Sequence, residues 1–268
     1  MLSHVRKVHL GALGVLALAA CGDGTGVGGP NNITLNFQVS GSGPAAVGAP
    51  GVAGVAGPPM VLVGTNGTLT IEEVRLIVSE VELDREDDDG CVGDDHGSDD
   101  IGDSCEKFNA GPRFLDLPLD GQPIEVMTDL VPAGVYDELE FEIEDLEDDE
   151  DNVVEAALIA AVRAEVLAAV PDWPHKASAL IVGSFTPTGG SAVDFRVFID
   201  AEIEVEMDLV PNLVIDGTTA SRGVTVDIRP DLWFAGAGGT VLDLSAVGQL
   251  LELEVEFEDG FTELEIED

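Results

Sequence analysis

Hydrophobic and polar residues alternate along most of the chain, and this alternation predicts many short β-strands. Residues 33–39 give the first example, with Ile, Leu, Phe and Val at every second position. A two-residue period of this kind is typical of a half-buried strand. Residues 138–144 and 252–258 alternate apolar residues with glutamates, so they predict strands with one buried face and one solvated acidic face.

Local signals divide the alternating pattern into separate strands. The apolar phase changes near Ser79, which predicts a β-bulge, and Pro118 marks its strand as an edge strand. Asp259 and Gly260 are preferred residues of a type I′ turn, so we expect a hairpin that joins residues 251–258 to residues 261–266. Further strands are predicted at residues 60–63, 69–83, 115–119, 135–143, 179–185, 193–199, 203–209, 224–228 and 241–244.

A helical pattern occurs at residues 152–170, where apolar residues recur at every fourth position among Ala and Glu until Pro171 ends the pattern. This spacing predicts one substantial helix whose apolar stripe packs on a sheet. The stripe is expected to consist of Val154, Leu158, Val162 and Val166.

The predicted elements define a fold class. About a dozen short strands with one helix are typical of a mainly β protein, an antiparallel β-sandwich with two packed sheets. Residues 32–268 can form one such domain, because β-sandwiches of about 200 to 250 residues are common.

The composition excludes some functions. The chain has 268 residues, of which 53 are Asp or Glu and 11 are Lys or Arg, so its formal net charge is -42. A hydrophobic content of 45% is too high for a disordered acidic tail. Binding to nucleic acid or to an anionic membrane surface requires clustered Lys and Arg, and the sequence contains no such cluster.

The N-terminal residues predict export. Arg6 and Lys7 precede an apolar run at residues 10–18, which is too short for a transmembrane helix but typical of a signal peptide. The run is followed by Leu18-Ala19-Ala20-Cys21, which resembles the bacterial lipoprotein box. The resemblance implies that residues 1–20 are removed and that Cys21 carries the lipid. An ordinary secretory signal with an incidental Cys is the alternative.

The resemblance also implies a location in the cell envelope. Gly22, rather than Asp, follows Cys21, which in proteins of this type favours the outer membrane. Residues 21–31 are rich in Gly and lack apolar periodicity, so we expect a flexible tether between the lipid and the domain. Assigning Cys21 to lipid leaves Cys91 and Cys105 of the 3 cysteines, and we expect a disulfide between them. Two unpaired thiols are the alternative.

Three stretches resemble a family of bacterial lipoprotein domains of unknown function. They lie at residues 115–121, 131–138 and 226–234, and residues 69–83 add to the likeness. The resemblance implies a β-rich domain with a Pro-Ala-Gly-x-Tyr turn, here at residues 132–136, and it supplies no catalytic residues. In that turn we expect Gly134 to adopt a positive φ and the Tyr136 hydroxyl to bond back across the corner.

Signatures of enzymes are missing from the sequence. No His-Glu-x-x-His, Gly-x-Ser-x-Gly, Cys-x-x-Cys or phosphate-binding glycine loop occurs. The many carboxylates offer pairs for a hydrolase, but such pairs are expected by chance in so acidic a chain. We therefore expect no catalysis, with a carboxylate-dependent periplasmic hydrolase as the alternative.

An acidic insertion at residues 84–106 is the most informative feature for ligand chemistry. It contains eleven carboxylates interspersed with glycines, and carboxylates on a turn-forming backbone are ligands that Ca²⁺ prefers. A solvated loop that binds ions only diffusely is the alternative. The predicted ligands are Asp87, Asp88, Asp89, Asp99, Asp100 and Asp103.

The sequence thus predicts a lipid-anchored protein of the cell envelope with a non-catalytic β-sandwich domain for binding or display. Its expected partners are the membrane, through the N-terminal lipid, and divalent cations, with Ca²⁺ as the candidate ion. Nucleic acid is excluded as a partner. A purely structural envelope component is a further alternative.

Overall fold

The computed structural model describes part of the chain. The described residues are 32–40, 58–86, 107–146, 153–216, 221–248, 250–252 and 260–267, without the side chains of 107, 153–155, 250–252 and 267. The predicted signal peptide, the tether and most of the acidic insertion lie outside these ranges. Within the described ranges, no helix combines the length and the apolar character that a membrane crossing requires.

The described residues form a mainly β structure with one substantial helix, which confirms the predicted fold class. The helices are α1 (Val153–Ala169) and the short α2 (Pro230–Trp233), and 3₁₀ turns occur at Ala237–Gly239 and Leu244–Ala246. The strands are β1 (Asn32–Val39), β2 (Met60–Val63), β3 (Gly67–Val78), β4 (Glu80–Arg85), β5 (Lys107–Ala110), β6 (Arg113–Asp116), β7 (Ile124–Leu130), β8 (Gly134–Ile143), β9 (Ala179–Pro187), β10 (Val193–Asp200), β11 (Ile203–Ile215), β12 (Arg222–Ile228), β13 (Ala235–Gly236), β14 (Thr240–Val241), β15 (Leu250–Glu252) and β16 (Phe261–Glu267).

The strands form three main sheets, where the sequence predicts two packed sheets. Sheet A has the order β16-β12-β1-β7, sheet B has the order β15-β10-β9-β3-β2 with β6 also paired to β3, and sheet C has the order β11-β8-β4-β5. Strands β13 and β14 form a separate two-stranded ribbon. Most neighbours are antiparallel, as predicted, but β1 pairs with β12 in parallel, and so does β10 with β15. A parallel pair needs a long connection between its two strands, and both of these pairs have one.

Sheets A and C pack face to face around aromatic side chains. The ring of Phe37 from β1 lies 5.0 Å from the ring of Phe141 from β8, and Phe141 lies 4.9 Å from Phe261 of β16. All three residues are buried. Apolar residues from one face of sheet B, such as Leu76 and Ile181, belong to the same hydrophobic cluster as these three aromatic residues. The three sheets therefore share one core.

The chain passes from sheet B to sheet C at Ser79. The Ile77 amide donates a hydrogen bond to the carbonyl of Ser178, whereas the Ser79 amide donates one to the carbonyl of Glu142 in β8. The change of apolar phase predicted as a bulge is thus a break between β3 and β4. The prediction of a bulge was wrong because the two halves of this segment bury their apolar sides in different sheets.

Helix α1 covers part of the outer face of sheet B, close to the predicted bounds 152–170. Its buried residues Ile159, Val162 and Val166 form a cluster with Ile77 of β3. Leu158, predicted to belong to the stripe, is instead 44% exposed. A step of four residues turns the helix by about 40° more than a full circle, so a strict four-residue pattern drifts off the buried face.

The predicted C-terminal hairpin lies mostly outside the described residues, because residues 253–259 are not among them. Of the parts that are described, β15 lies parallel to β10 in sheet B, and β16 lies antiparallel to β12 in sheet A. The strand predicted at residues 241–244 was wrong in extent, since β14 ends at Val241 and a 3₁₀ turn begins at Leu244.

Candidate functional site

Alternation along three strands of sheet C places apolar side chains in the core and carboxylates on the opposite face. In β8, the buried residues are Leu139, Phe141 and Ile143. Glu138 and Glu142, which alternate with them along the strand, are half-buried. The same two-residue period holds in β4 and β11. One face of sheet C is therefore lined by acidic residues, as the glutamate pattern predicts.

The strand register aligns these carboxylates in rows. Each row takes one residue from β4, one from β8 and one from β11, directly opposite one another in the ladder. We call the nine residues the acidic face. The rows are Glu80, Glu142 and Glu204; Glu82, Glu140 and Glu206; and Asp84, Glu138 and Asp208.

Three members of the acidic face approach one another most closely. Asp84, Glu138 and Glu140 each offer one carboxylate oxygen, and these three oxygens lie within 4.8 Å of one another. Ca²⁺ binds its oxygen ligands at about 2.3–2.6 Å, so ligands on opposite sides of one ion stand about 5 Å apart. The three carboxylates are spaced closely enough to share a cation of this kind.

Burial and like charges change the protonation of this surface. The pKa of Glu138 is raised by burial and by the negative charges of Glu206 and Asp84. The pKa of Glu142 is raised by burial and by the charge of Glu204, against a hydrogen bond from the Ser79 hydroxyl that lowers it. Each raised pKa means that a negative charge is disfavoured at that position. A bound cation would remove part of this repulsion.

Strand β5 borders the acidic face on one side. The Asn109 amide donates a hydrogen bond of 3.3 Å to a carboxylate oxygen of Glu82. The backbone register also places Lys107 opposite Asp84. The acidic face is therefore bordered by the Asn109 amide on the β5 side, and on the other side it ends at β11, the edge strand of sheet C.

The turn before β8 holds the strand that carries Glu138 and Glu140. The Tyr136 hydroxyl donates a hydrogen bond of 2.9 Å to the carbonyl of Pro132, which confirms the predicted bond across the corner. Arg85 donates from Nη2 to the carbonyl of Ala133 at 2.8 Å. Gly134 does not have the predicted positive φ. Glycine is needed at this position for a different reason. A Cβ at residue 134 would lie 2.9 Å from Nε of Arg85.

The predicted site residues all lie outside the described structure, but the first residues of the acidic insertion lie within it. Asp84, the first residue of the acidic insertion, joins the acidic face, and the sequence prediction missed its partners Glu138 and Glu140. The glutamate alternation revealed their acidic strand face, but only the strand register shows that Asp84 lies beside them. The six predicted ligands Asp87, Asp88, Asp89, Asp99, Asp100 and Asp103 lie outside the described residues, as do Cys21, Cys91 and Cys105.

Comparison with known proteins supplies no argument for the fold or for the site. No protein-family model matches the chain, and no curated protein matches it. Among solved structures, MbnP from Methylosinus trichosporium is similar at 16% sequence identity, over 81% of this chain and 82% of that chain, with a TM-score of 0.40. A likeness this distant supports no inference about the site, so the function must be argued from the chain itself.

Proposed function

We propose that this chain is a lipid-anchored protein of the cell envelope whose β-sandwich domain is non-catalytic and binds divalent cations through its acidic face. The observation that carries the proposal is the approach of the Asp84, Glu138 and Glu140 oxygens to within 4.8 Å of one another. The anchoring part of the proposal rests on the lipoprotein box that ends at Cys21, and Gly22 supports the outer membrane as its location.

The sheet positions the three carboxylates in advance. Asp84 and Glu138 are direct cross-strand partners, and Glu140 follows Glu138 on the same face of β8. Ladder hydrogen bonds hold both strands, so a cation binds without first ordering the backbone. Sites built on strands are also more precise than sites on loops. These features favour the sheet over a flexible loop as the first point of cation contact.

Ca²⁺ is the cation that fits this ligand chemistry best. It prefers 6 to 8 oxygen ligands, including carboxylates, and tolerates irregular geometry. The acidic insertion continues from Asp84 along the chain, and we propose that its aspartates supply further ligands once Cys91 and Cys105 are joined. Because Asp84, Glu138 and Glu140 are only half-buried and still reached by solvent, we expect a dissociation constant of about 10⁻⁴ to 10⁻³ M, as in extracellular calcium modules.

The same geometry favours binding over hydrolysis. A carboxylate hydrolase needs an acid and a base that converge on one bond inside a cleft. Glu138 and Glu142, whose pKa values are raised, instead lie on one outward sheet face. We propose that their raised pKa values reflect charge crowding rather than an acid and base assignment.

Calorimetry with CaCl₂ on the mature protein tests the cation site. Replacing Glu138 and Glu140 together by Gln should weaken calcium binding by about tenfold, since two of the three closest ligands lose their charge. Glu165→Gln on α1 is the matched control, because Glu165 is an exposed carboxylate outside the acidic face. Equal calcium affinities for the double variant and the control would contradict the proposal.

Fractionation of cells tests the anchoring separately. Cys21→Ser should move the protein from the membrane fraction to the soluble fraction, because the lipid attachment atom is removed. A variant that stays with the membranes would contradict the anchoring and leave the cation site unaffected.

A further inference from the structure

A groove of about 670 Å³ runs between β11, the edge strand of sheet C among the described residues, and β16, the corresponding edge strand of sheet A. One wall is formed by residues 204–208 of β11 together with Val210, and the other by residues 261–264 of β16. The groove shares Glu204, Glu206 and Asp208 with the acidic face, but its lining does not include the Asp84, Glu138 and Glu140 cluster on the inner strands β4 and β8. Its second wall, on β16, belongs to a different sheet.

Both walls of the groove are strand edges. Among the described residues, β11 pairs with β8 alone and β16 pairs with β12 alone. An edge strand presents backbone N–H and C=O groups to which an additional strand can bind. Extended peptides bind proteins in this way, with main-chain hydrogen bonds providing affinity and side-chain pockets providing specificity.

The solvent-facing side of the groove is acidic, and the side toward the core is apolar. Its ten lining residues include the four carboxylates of Glu204, Glu206, Asp208 and Glu263 and no basic side chain. Val205 and Phe261 are buried in the same lining. Because side chains of an added strand continue the two faces of the sheet, its outward residues would lie beside carboxylates and its inward residues beside the apolar floor.

We propose that this groove binds an extended peptide segment in which basic and apolar residues alternate, added as a strand at the edge of β11. The charge of the lining selects a cationic partner and disfavours a second copy of this chain, whose formal net charge is -42. Residues 203–208 offer a straight edge of about 20 Å, at about 3.3 Å per residue. Pro211, which has no amide hydrogen to donate, limits the edge at its far end.

The first test compares two labelled heptapeptides of identical composition by fluorescence anisotropy. One alternates four lysines with three valines, and the other carries the four lysines and the three valines in separate blocks. In about 0.15 M NaCl, the alternating peptide should bind about tenfold more tightly, because only its pattern places charge and apolar side chains on opposite faces. Equal binding of the two peptides would reduce the interaction to general charge attraction and overturn the proposal.

The second test locates the binding with charge-reversal variants. Glu263→Arg changes a groove residue, and Glu265→Arg makes the same change of charge at an exposed residue of the same strand that does not line the groove. The first should weaken binding of the alternating peptide about tenfold and the second less than about twofold. Thermal melting of both variants establishes that they fold.

Equal effects of the two substitutions, or no effect of Glu263→Arg, would overturn the proposed location. Glu263→Arg changes a residue of β16 outside the acidic face, so it should leave the calcium affinity within about twofold of that of the unchanged protein. The calcium and peptide measurements can therefore fail independently of each other.

Discussion

Arg85 and Tyr136 meet beneath the turn at residues 132–134, and their contacts fix the start of β8. The Arg85 guanidinium lies 5.5 Å from the centre of the Tyr136 ring and also donates a hydrogen bond to the carbonyl of Ala133. It occupies the space in which a side chain at Gly134 would lie. The sequence could predict the Tyr136 hydrogen bond from the turn motif, but not the position of Arg85, which comes from a strand 51 residues away along the chain.

Gly134→Ala should lower the free energy of unfolding by about 1 to 3 kcal/mol, the usual cost of overpacking a filled space. Urea denaturation measures the change. The matched control places the same substitution in an Arg85→Ala background, where the space is vacant and the additional loss should be less than about half as large. A similar loss in both backgrounds would mean that Arg85 is not the cause.

At the scale of elements, the sequence predicted which residues form strands better than it predicted which strands pair. Residues 33–39 were expected as a strand, and β1 covers Asn32–Val39. The sequence predicts the glutamates of β8 on an outward face, and they lie there. Periodicity describes one strand at a time, so it cannot show that Asp84 is opposite Glu138 or that β15 and β16 enter different sheets.

Helix α1 gives a matched test of packing at neighbouring positions. Ile159→Ala should lower the free energy of unfolding by about 2 to 5 kcal/mol, because Ile159 is buried against sheet B. Leu158→Ala removes a side chain of the same size that is 44% exposed, and its cost should be less than half as large. Urea denaturation of both variants checks the prediction, and equal losses would place the buried stripe of the helix elsewhere.

The acidic face of sheet C predicts an unusual dependence of stability on pH. The pKa values of Glu138 and Glu142 are raised in the folded protein and ordinary in the unfolded chain, so the folded state binds more protons. The free energy of unfolding should therefore fall as the pH rises from the ordinary glutamate pKa through the raised values. Replacing both residues by Gln should flatten this slope in urea denaturation series at several pH values.

Asp172→Asn is the control for that pH series. A hydrogen bond from Arg196 lowers the pKa of Asp172, so its contribution to stability is lost only as the pH falls below the ordinary aspartate pKa. The control should leave the slope above that range unchanged. A slope that persists in the variant with Gln at positions 138 and 142 would assign the pH dependence to other groups.

At the scale of the whole molecule, the sequence predicted a mainly β domain and its charge, but not the arrangement of three sheets around one core. Nothing in the local pattern near Ser79 distinguishes a bulge from a passage between two sheets. That distinction depends on where Ser178 and Glu142 supply carbonyl acceptors, and both acceptors lie far along the chain. The net charge, in contrast, follows from composition alone.

The net charge of -42 predicts that salt stabilises the fold. Like charges on outward strand faces repel, and the screening length falls from about 8 Å at physiological ionic strength to about 3 Å at 1 M salt. The melting temperature should therefore rise with NaCl well beyond physiological concentration. KCl at equal ionic strength should give the same rise if screening is the cause, and a flat curve in both salts would show that repulsion does not limit stability.

The parallel pairing of β1 with β12 has a consequence for the timing of folding. The first described strand occupies the centre of sheet A, between β7 and a strand that ends at Ile228. Sheet A cannot be completed until nearly the whole chain has emerged from the ribosome, because early residues must wait for late ones. Sheet A is therefore among the last parts of the fold to form, which would suit the export that we propose, because a sheet that is still incomplete presents less folded structure to a secretion channel.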